Sequence, residues 1–234
     1  MTSARKEPQP EALNRPEQLN ATNHELHSGL AALFPQLDAD AEARVAVITG
    51  NGRAFSAGGD FGYIDELAKD PELRHESLTH GRQIVTGMVA CRVPVVAAVN
   101  GPAVGLGCSI VALSDIVYMA ESAHLADPHV MVGLVAADGG AATWPLLIGL
   151  QLAKELAFTG DRIPAALAVE FGLASRTTAP DDLLPEARRL AQRLAQQKVG
   201  QIVQMGGAMS DMDPGQQQMV MAAMGYGVLL PYAR

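Results

Sequence analysis

The chain has 234 residues, of which 48% are hydrophobic and 18% charged, with a net charge of −8. That is enough apolar material for one substantial core and does not fit the profile of a disordered chain. The acidic balance and the lack of any basic cluster argue against nucleic acid or an anionic membrane as the main partner, so an anionic ligand has to be held locally.

Cys91 and Cys108 are the only cysteines; both sit in apolar surroundings and read as reduced core residues rather than a disulfide framework. No stretch is apolar for long enough to span a bilayer, and Met1 to Pro10 is polar rather than signal-like, which makes the cytoplasm the expected location. The expected organisation is a loose arm over residues 1–12, a core over 13–197 and a helical tail over 198–234 that lacks a clean period.

Taken in order, Thr22 or Asn23 is placed to cap a helix carrying Leu26, Leu30, Leu33 and Leu37 at helical spacing. His24 and His27 lie three apart on it. No third histidine, cysteine or aspartate completes a ligand set at a recognised spacing, so the expected reading is solvated or half-buried histidines and no metal. Arg44 to Gly50 is a β-branched run closed by a turn, hence a buried strand. It is followed by Ala54-Phe55-Ser56-Ala57-Gly58-Gly59-Asp60, a glycine-rich crossing into a helix from Phe61 to Ala68 with Asp60 suited to its cap. Pro71 interrupts, and Glu72 to Ala90 reads as a helix whose His75 and His80 carry no partner pattern.

The segment Arg92 to Asp115 organises the rest. Val95 to Val99 is apolar at consecutive positions, as in a strand covered on both faces. Gly101, Gly105 and Gly107 form a flexible turn, and a helical pattern runs from Cys108 onward. The turn fits neither GxxxxGK[ST] nor GxGxxG. It leaves N–H groups at a helix start, and together with the glycine crossing at Gly58-Gly59 it offers two donors from separate loops, which is what an oxyanion hole needs. Downstream, Asp115 to Ala120 reads as a third strand, the block Val130 to Gly140 ends in a turn before a helix containing Trp144, and Gln151–Phe158, Ala165–Phe171 and Pro185–Gln197 are helical patterns.

These motifs together resemble the enoyl-CoA hydratase/isomerase, or crotonase, superfamily. They are Asn14-Arg15-Pro16 to Asn20-Ala21, Val47 to Gly50 with Phe55 to Asp60, Pro94 to Gly107, Ser114-Asp115, Asp138-Gly139-Gly140 and Leu156 to Gly160 with Gly172-Leu173. The resemblance implies an α/β fold, a spiral of ββα units with C-terminal helices that assembles as a homotrimer or homohexamer. It also implies an acyl-CoA substrate, no permanently bound cofactor, and a place in fatty acid metabolism. By position it makes Gly59 and Leu106 the N–H donors that hold a thioester enolate. Ala57, Gly58 and Asp60 fall at the coenzyme A site, and Ser109 and Trp144 in the substrate pocket.

The two glutamates of the hydratases fall at Ser109 and His129, neither a carboxylate. What remains is His129 with Asp138, nine residues apart, a sound general acid–base pair near neutral pH in which the aspartate orients the ring. The expected function is therefore an acyl-CoA hydratase or isomerase-like enzyme using His129 and Asp138. A carbon–carbon bond hydrolase of β-diketone type, the branch represented by 6-oxocamphor hydrolase, and a non-catalytic CoA-binding scaffold are the alternatives.

Overall fold

The computed structural model describes residues 10–197, and the tail expected over 198–234 lies outside them. Among these residues the strands are β1 (Pro10–Leu13), β2 (Ala46–Gly50), β3 (Val95–Val99), β4 (Ala103–Val104), β5 (Ile116–Ala120), β6 (His124–Ala126), β7 (Ile163–Pro164) and β8 (Arg176–Thr178). The helices are α1 (His24–Ala39), α2 (Phe61–Lys69), α3 (Pro71–Ala90), α4 (Leu106–Leu113), α5 (Gly140–Ile148), α6 (Leu150–Thr159), α7 (Ala165–Phe171) and α8 (Pro180–Gln196).

The larger sheet has the order β1-β2-β3-β5-β8, and every neighbouring pair is parallel. All five residues of β2 and all five of β3 are buried, which is why their sequences run apolar without alternation. Helix α8 packs against β2, β3 and β5, burying Leu183, Ala187 and Ala191 at four-residue spacing; the two alanines allow close approach. β1 corrects one expectation: residues 10–12, read as the end of a loose arm, pair with Val47 to Thr49 at the sheet edge.

The second layer explains the spiral. After β2, β3 and β5 the chain crosses through a short extended piece, which is Ser56, β4 and β6 in turn. Ser56 bridges Ala103, β4 pairs parallel with β6, and β6 pairs antiparallel with β7. Each crossing then leads to a helix or helix pair, so strand, crossing and helix repeat as stacked ββα units. The expected fold is the one observed.

Helix starts follow from their caps. The Asn23 carboxamide oxygen accepts from the Leu26 N–H at 3.0 Å, and the Asp60 carboxylate accepts from Gly62 at 3.0 Å and Tyr63 at 3.4 Å. Asp70 does the same for Glu72 and Leu73, which makes Pro71 the first residue of α3 rather than an interruption before it. Each such cap is worth about 0.5–2 kcal/mol. Pro180 likewise opens α8, with Asp181 and Asp182 in its first turn, five residues before the expected start at Pro185.

Candidate active site

The site forms where the two glycine turns meet. Gly105 has φ 52° and ψ −121°, a backbone conformation open to glycine, and it brings the chain from β4 directly into α4. Helix α4 therefore starts at Leu106, two residues earlier than the pattern predicts, and no side chain caps it. On the other turn Gly58 has φ 92°. A Cβ on Gly58 would stand 3.2 Å from the Val104 carbonyl oxygen, and one on Gly105 would stand 3.7 Å from the Gly58 Cα, so the two loops touch backbone to backbone.

The first turn is fixed from the N-terminal side. The Thr22 N–H donates to the Gly58 carbonyl at 2.7 Å and the Asp60 N–H to the Thr22 carbonyl at 3.0 Å, gripping Gly59 on both flanks. The N–H groups of Gly59 and Leu106 have no acceptor among the described residues. Asn20, fully buried, donates to the carbonyls of Asn51 at 2.9 Å and Ala54 at 2.8 Å, and its side-chain oxygen accepts from the Arg15 N–H at 2.8 Å. Arg15 in turn reaches the Ala21 carbonyl and the Asp60 carboxylate. The Asn14 to Ala21 motif thus acts as a brace for the Gly58 to Asp60 loop. The Ala57 N–H is spent on the Leu19 carbonyl at 2.9 Å.

His129 stands over this junction: a Cβ on Gly105 would lie 3.5 Å from its Cε1 and 3.8 Å from its Nε2. The ring is held between two carboxylates. Its Nδ1 is hydrogen-bonded to Asp127, which is 4% exposed, and its Nε2 lies 3.5 Å from the Asp138 carboxylate. This corrects the expected pairing in one respect. The Nδ1 partner that fixes the ring is Asp127, while Asp138 faces the other nitrogen. Asp127 stands in the Asp-Pro-His segment, two residues from His129, where aspartate before proline reads as turn chemistry. Its burial is what distinguishes it, and burial is not visible in that tripeptide.

The electrostatics follow from this arrangement. The hydrogen bond to Asp127 raises the His129 pKa above its ordinary value, with the charges of Asp138 and Asp127 adding to it, against burial, which lowers it. Burial pushes the Asp138 carboxyl up, helped by the charge of Asp127, while His129 and a hydrogen bond from Ser109 hold it down. The Ser109 hydroxyl donates to Asp138 at 2.8 Å and is 1% exposed, so it positions the carboxylate. Gly140 leaves room for the buried acid: a Cβ there would be 2.6 Å from Asp127 Oδ2. Gly139, with φ 125°, packs against Leu113, Val85 and the Cβ of Ser109. Trp144 is buried in the core, 3% exposed, with its ring N–H unpaired among the described residues. Cys108 is buried beside the acids, and burial pushes its thiol well above the ordinary value, so it stays protonated and inert.

The sequence profile described as enoyl-CoA hydratase/isomerase matches residues 12–223. The chain belongs to this family. A probable enoyl-CoA hydratase from Mycobacterium bovis, echA8, is 34% identical over 185 residues, covering 79% of this chain and 70% of that one. A crotonyl-CoA hydratase from Syntrophomonas wolfei is 32% identical over 183 residues, covering 78% and 70%. Among solved structures, an enoyl-CoA hydratase/isomerase from Mycobacterium paratuberculosis superposes with a TM-score of 0.81 at 56% identity, covering 92% of this chain and 84% of that one. This chain is thus an enzyme of the enoyl-CoA hydratase/isomerase family. The family match runs past Gln197, into the tail that lacks a clean period in the sequence. No helix among the described residues of this family member is long and apolar enough to cross a membrane.

Proposed function

We propose that this enzyme acts on an acyl-CoA thioester and moves a proton at the carbon next to the thioester carbonyl. The observation that carries the reading is the position of His129, clamped by Asp127 and facing Asp138, directly over the Gly105 turn whose next N–H, that of Leu106, has no partner among the described residues. The thioester oxygen lies between the N–H groups of Gly59 and Leu106. As the C–H bond breaks, negative charge gathers on that oxygen, and donors already aimed at it favour the enolate over the ground state. Neutral His129 takes the proton on Nε2, because Asp127 keeps the Nδ1–H in place and stabilises the imidazolium that forms. Asp138, steadied by Ser109, faces the proton-bearing nitrogen and helps return the proton to carbon or to oxygen. Hydration and double-bond isomerisation both pass through these steps. Ala57, Gly58 and Asp60 edge the coenzyme A end of the site, and coenzyme A enters and leaves as part of the substrate. Trp144 lines the acyl side.

The enzyme works as an assembly of its own copies, a trimer or a pair of trimers, in the cytoplasm. Support comes from exposed apolar side chains that gather in two neighbouring segments, Met131 and Val135 in one and Leu146 and Leu150 in the other, with Phe158 on α6, which packs against both.

Calorimetric titration with a saturated acyl-CoA tests the ligand reading. Saturable heat below millimolar ligand supports it, and no heat at millimolar ligand contradicts it. Loss of ultraviolet absorbance of a conjugated enoyl-CoA then separates hydration from isomerisation.

A further inference from the structure

Away from the active site, four titratable side chains gather between α1 and α3. His24 and His27 stand near the start of α1; Glu76 and His80 stand one turn apart on α3. One ligand atom from each of His24, Glu76 and His80 lies within 4.8 Å of the other two. The Glu76 Oε1 is 4.0 Å from the His24 Nε2 and 3.9 Å from the His80 Nε2. His27 borders the group, its ring centroid 5.8 Å from that of His80.

We propose that His24, Glu76 and His80 bind a divalent transition-metal ion of the zinc class. Two helices supply the donors, and the α3 pair has the i, i+4 spacing that puts both side chains on one helix face. The donor set of imidazoles and one carboxylate suits zinc and its neighbours rather than magnesium or calcium. A tetrahedral zinc with bonds of about 2.0–2.1 Å holds its ligand atoms about 3.4 Å apart. Both Glu76 separations need only a small closure, and the exposed Glu76 side chain is free to make it, while the His24 and His80 donor atoms lie within 4.8 Å of each other. The cluster also carries unmet polar demand. The Nδ1 atoms of His24 and His80 and the hydroxyl of Tyr63, whose ring packs on His24 and His27, are buried with no partner among the described residues. Among the described residues no hydrogen bond at these Nδ1 atoms fixes which ring nitrogen of His24 or His80 keeps its proton, and the Nε2 atoms are the ones that face Glu76. His80 also lines an open groove of about 650 Å³ between α1 and α3, together with Ser28 and Gln83.

Asp127, His129 and Asp138 are a second group with donor atoms at similar separations, so the test has to tell the two apart. Purified full-length protein is stripped with a chelator and titrated with zinc chloride, by calorimetry and by thermal melting. Cobalt absorption in the visible reports coordination geometry. The expected result is one zinc per chain at micromolar or tighter affinity, a raised melting temperature, and tetrahedral cobalt bands. His80→Ala and Glu76→Ala should each weaken binding at least tenfold, the loss that even an outer-shell partner causes. Asp127→Asn should leave it unchanged. Because the Glu76 side chain is 53% exposed, Glu76→Ala tests the site without disturbing the core. No binding at millimolar zinc overturns the proposal. So does binding that survives both α3 substitutions and is lost in His129→Ala.

Discussion

Replacing Asp127 by Asn keeps the volume and removes the charge that holds His129. The buried carboxylate accepts the Nδ1 proton and is the largest cause raising the imidazole pKa, while burial of the ring works the other way. An amide leaves the burial effect and removes the support, so the His129 pKa falls. As a base His129 must be neutral, and in the wild type kcat/KM therefore rises with pH through a value above 6.5. In Asp127→Asn that limb moves to lower pH. The plateau drops as well, because the imidazolium formed in the reaction loses its partner and the ring its orientation. General acid–base catalysis is worth about 10²–10⁴-fold, and losing the orienting acid should remove about 10²-fold or more of it from kcat. Stability shows the same linkage. A histidine whose pKa is raised on folding stabilises the protein fully below its unfolded pKa of 6.5 and less as pH rises through the folded value. Asp127→Asn should thus lower the melting temperature more at pH 6 than at pH 9. Steady-state kinetics and thermal melts across that range measure both effects. An acidic limb that stays in place, with kcat within a few-fold of wild type, would refute Asp127 as the positioning residue.

Gly105→Ala should lower kcat by about 10²–10³-fold, the cost of losing one oxyanion donor, because an L residue is strained at that φ and shifts the turn that presents the Leu106 N–H. A kcat within tenfold of wild type would show that the Leu106 N–H is not a donor. Asn20→Ala should cost about 2–4 kcal/mol in urea unfolding, since the two carbonyls and one N–H it serves lose their partner at a buried position. Sedimentation should show a trimer or hexamer at micromolar concentration, and Leu146→Lys, at a side chain 86% exposed in the single chain, should shift it to smaller species. A monomeric wild type would contradict the proposed assembly.

What was legible in the sequence divides by physical cause. β2 and β3 announce themselves because strands buried on both faces are apolar at successive positions, and α1 and α2 because Asn23 and Asp60 are caps ahead of a helical pattern. β4, β6, β7 and β8 are two or three residues long, too short for any period, and they exist because neighbouring crossings pair with one another. At the site, the convergence of the Gly58 and Gly105 turns was readable as two glycine crossings after buried strands. The partner of His129 was not, because Asp127 and Asp138 are both near in sequence and only burial and direction separate them. His24 and Glu76 are brought within reach of each other by the packing of α1 on α3, and no spacing rule links residues so far apart.

The most direct test of the central claim is exchange of the α-protons of a saturated acyl-CoA in deuterium oxide, followed by nuclear magnetic resonance with wild type and His129→Ala side by side. It requires no knowledge of the natural acyl group and reads enolate formation itself. Wild type should catalyse exchange, and His129→Ala should slow it by about a hundredfold or more while binding the same ligand with nearly unchanged affinity. Equal exchange rates in the two proteins, with His129→Ala folded and ligand-bound, would contradict the assignment of His129 as the base.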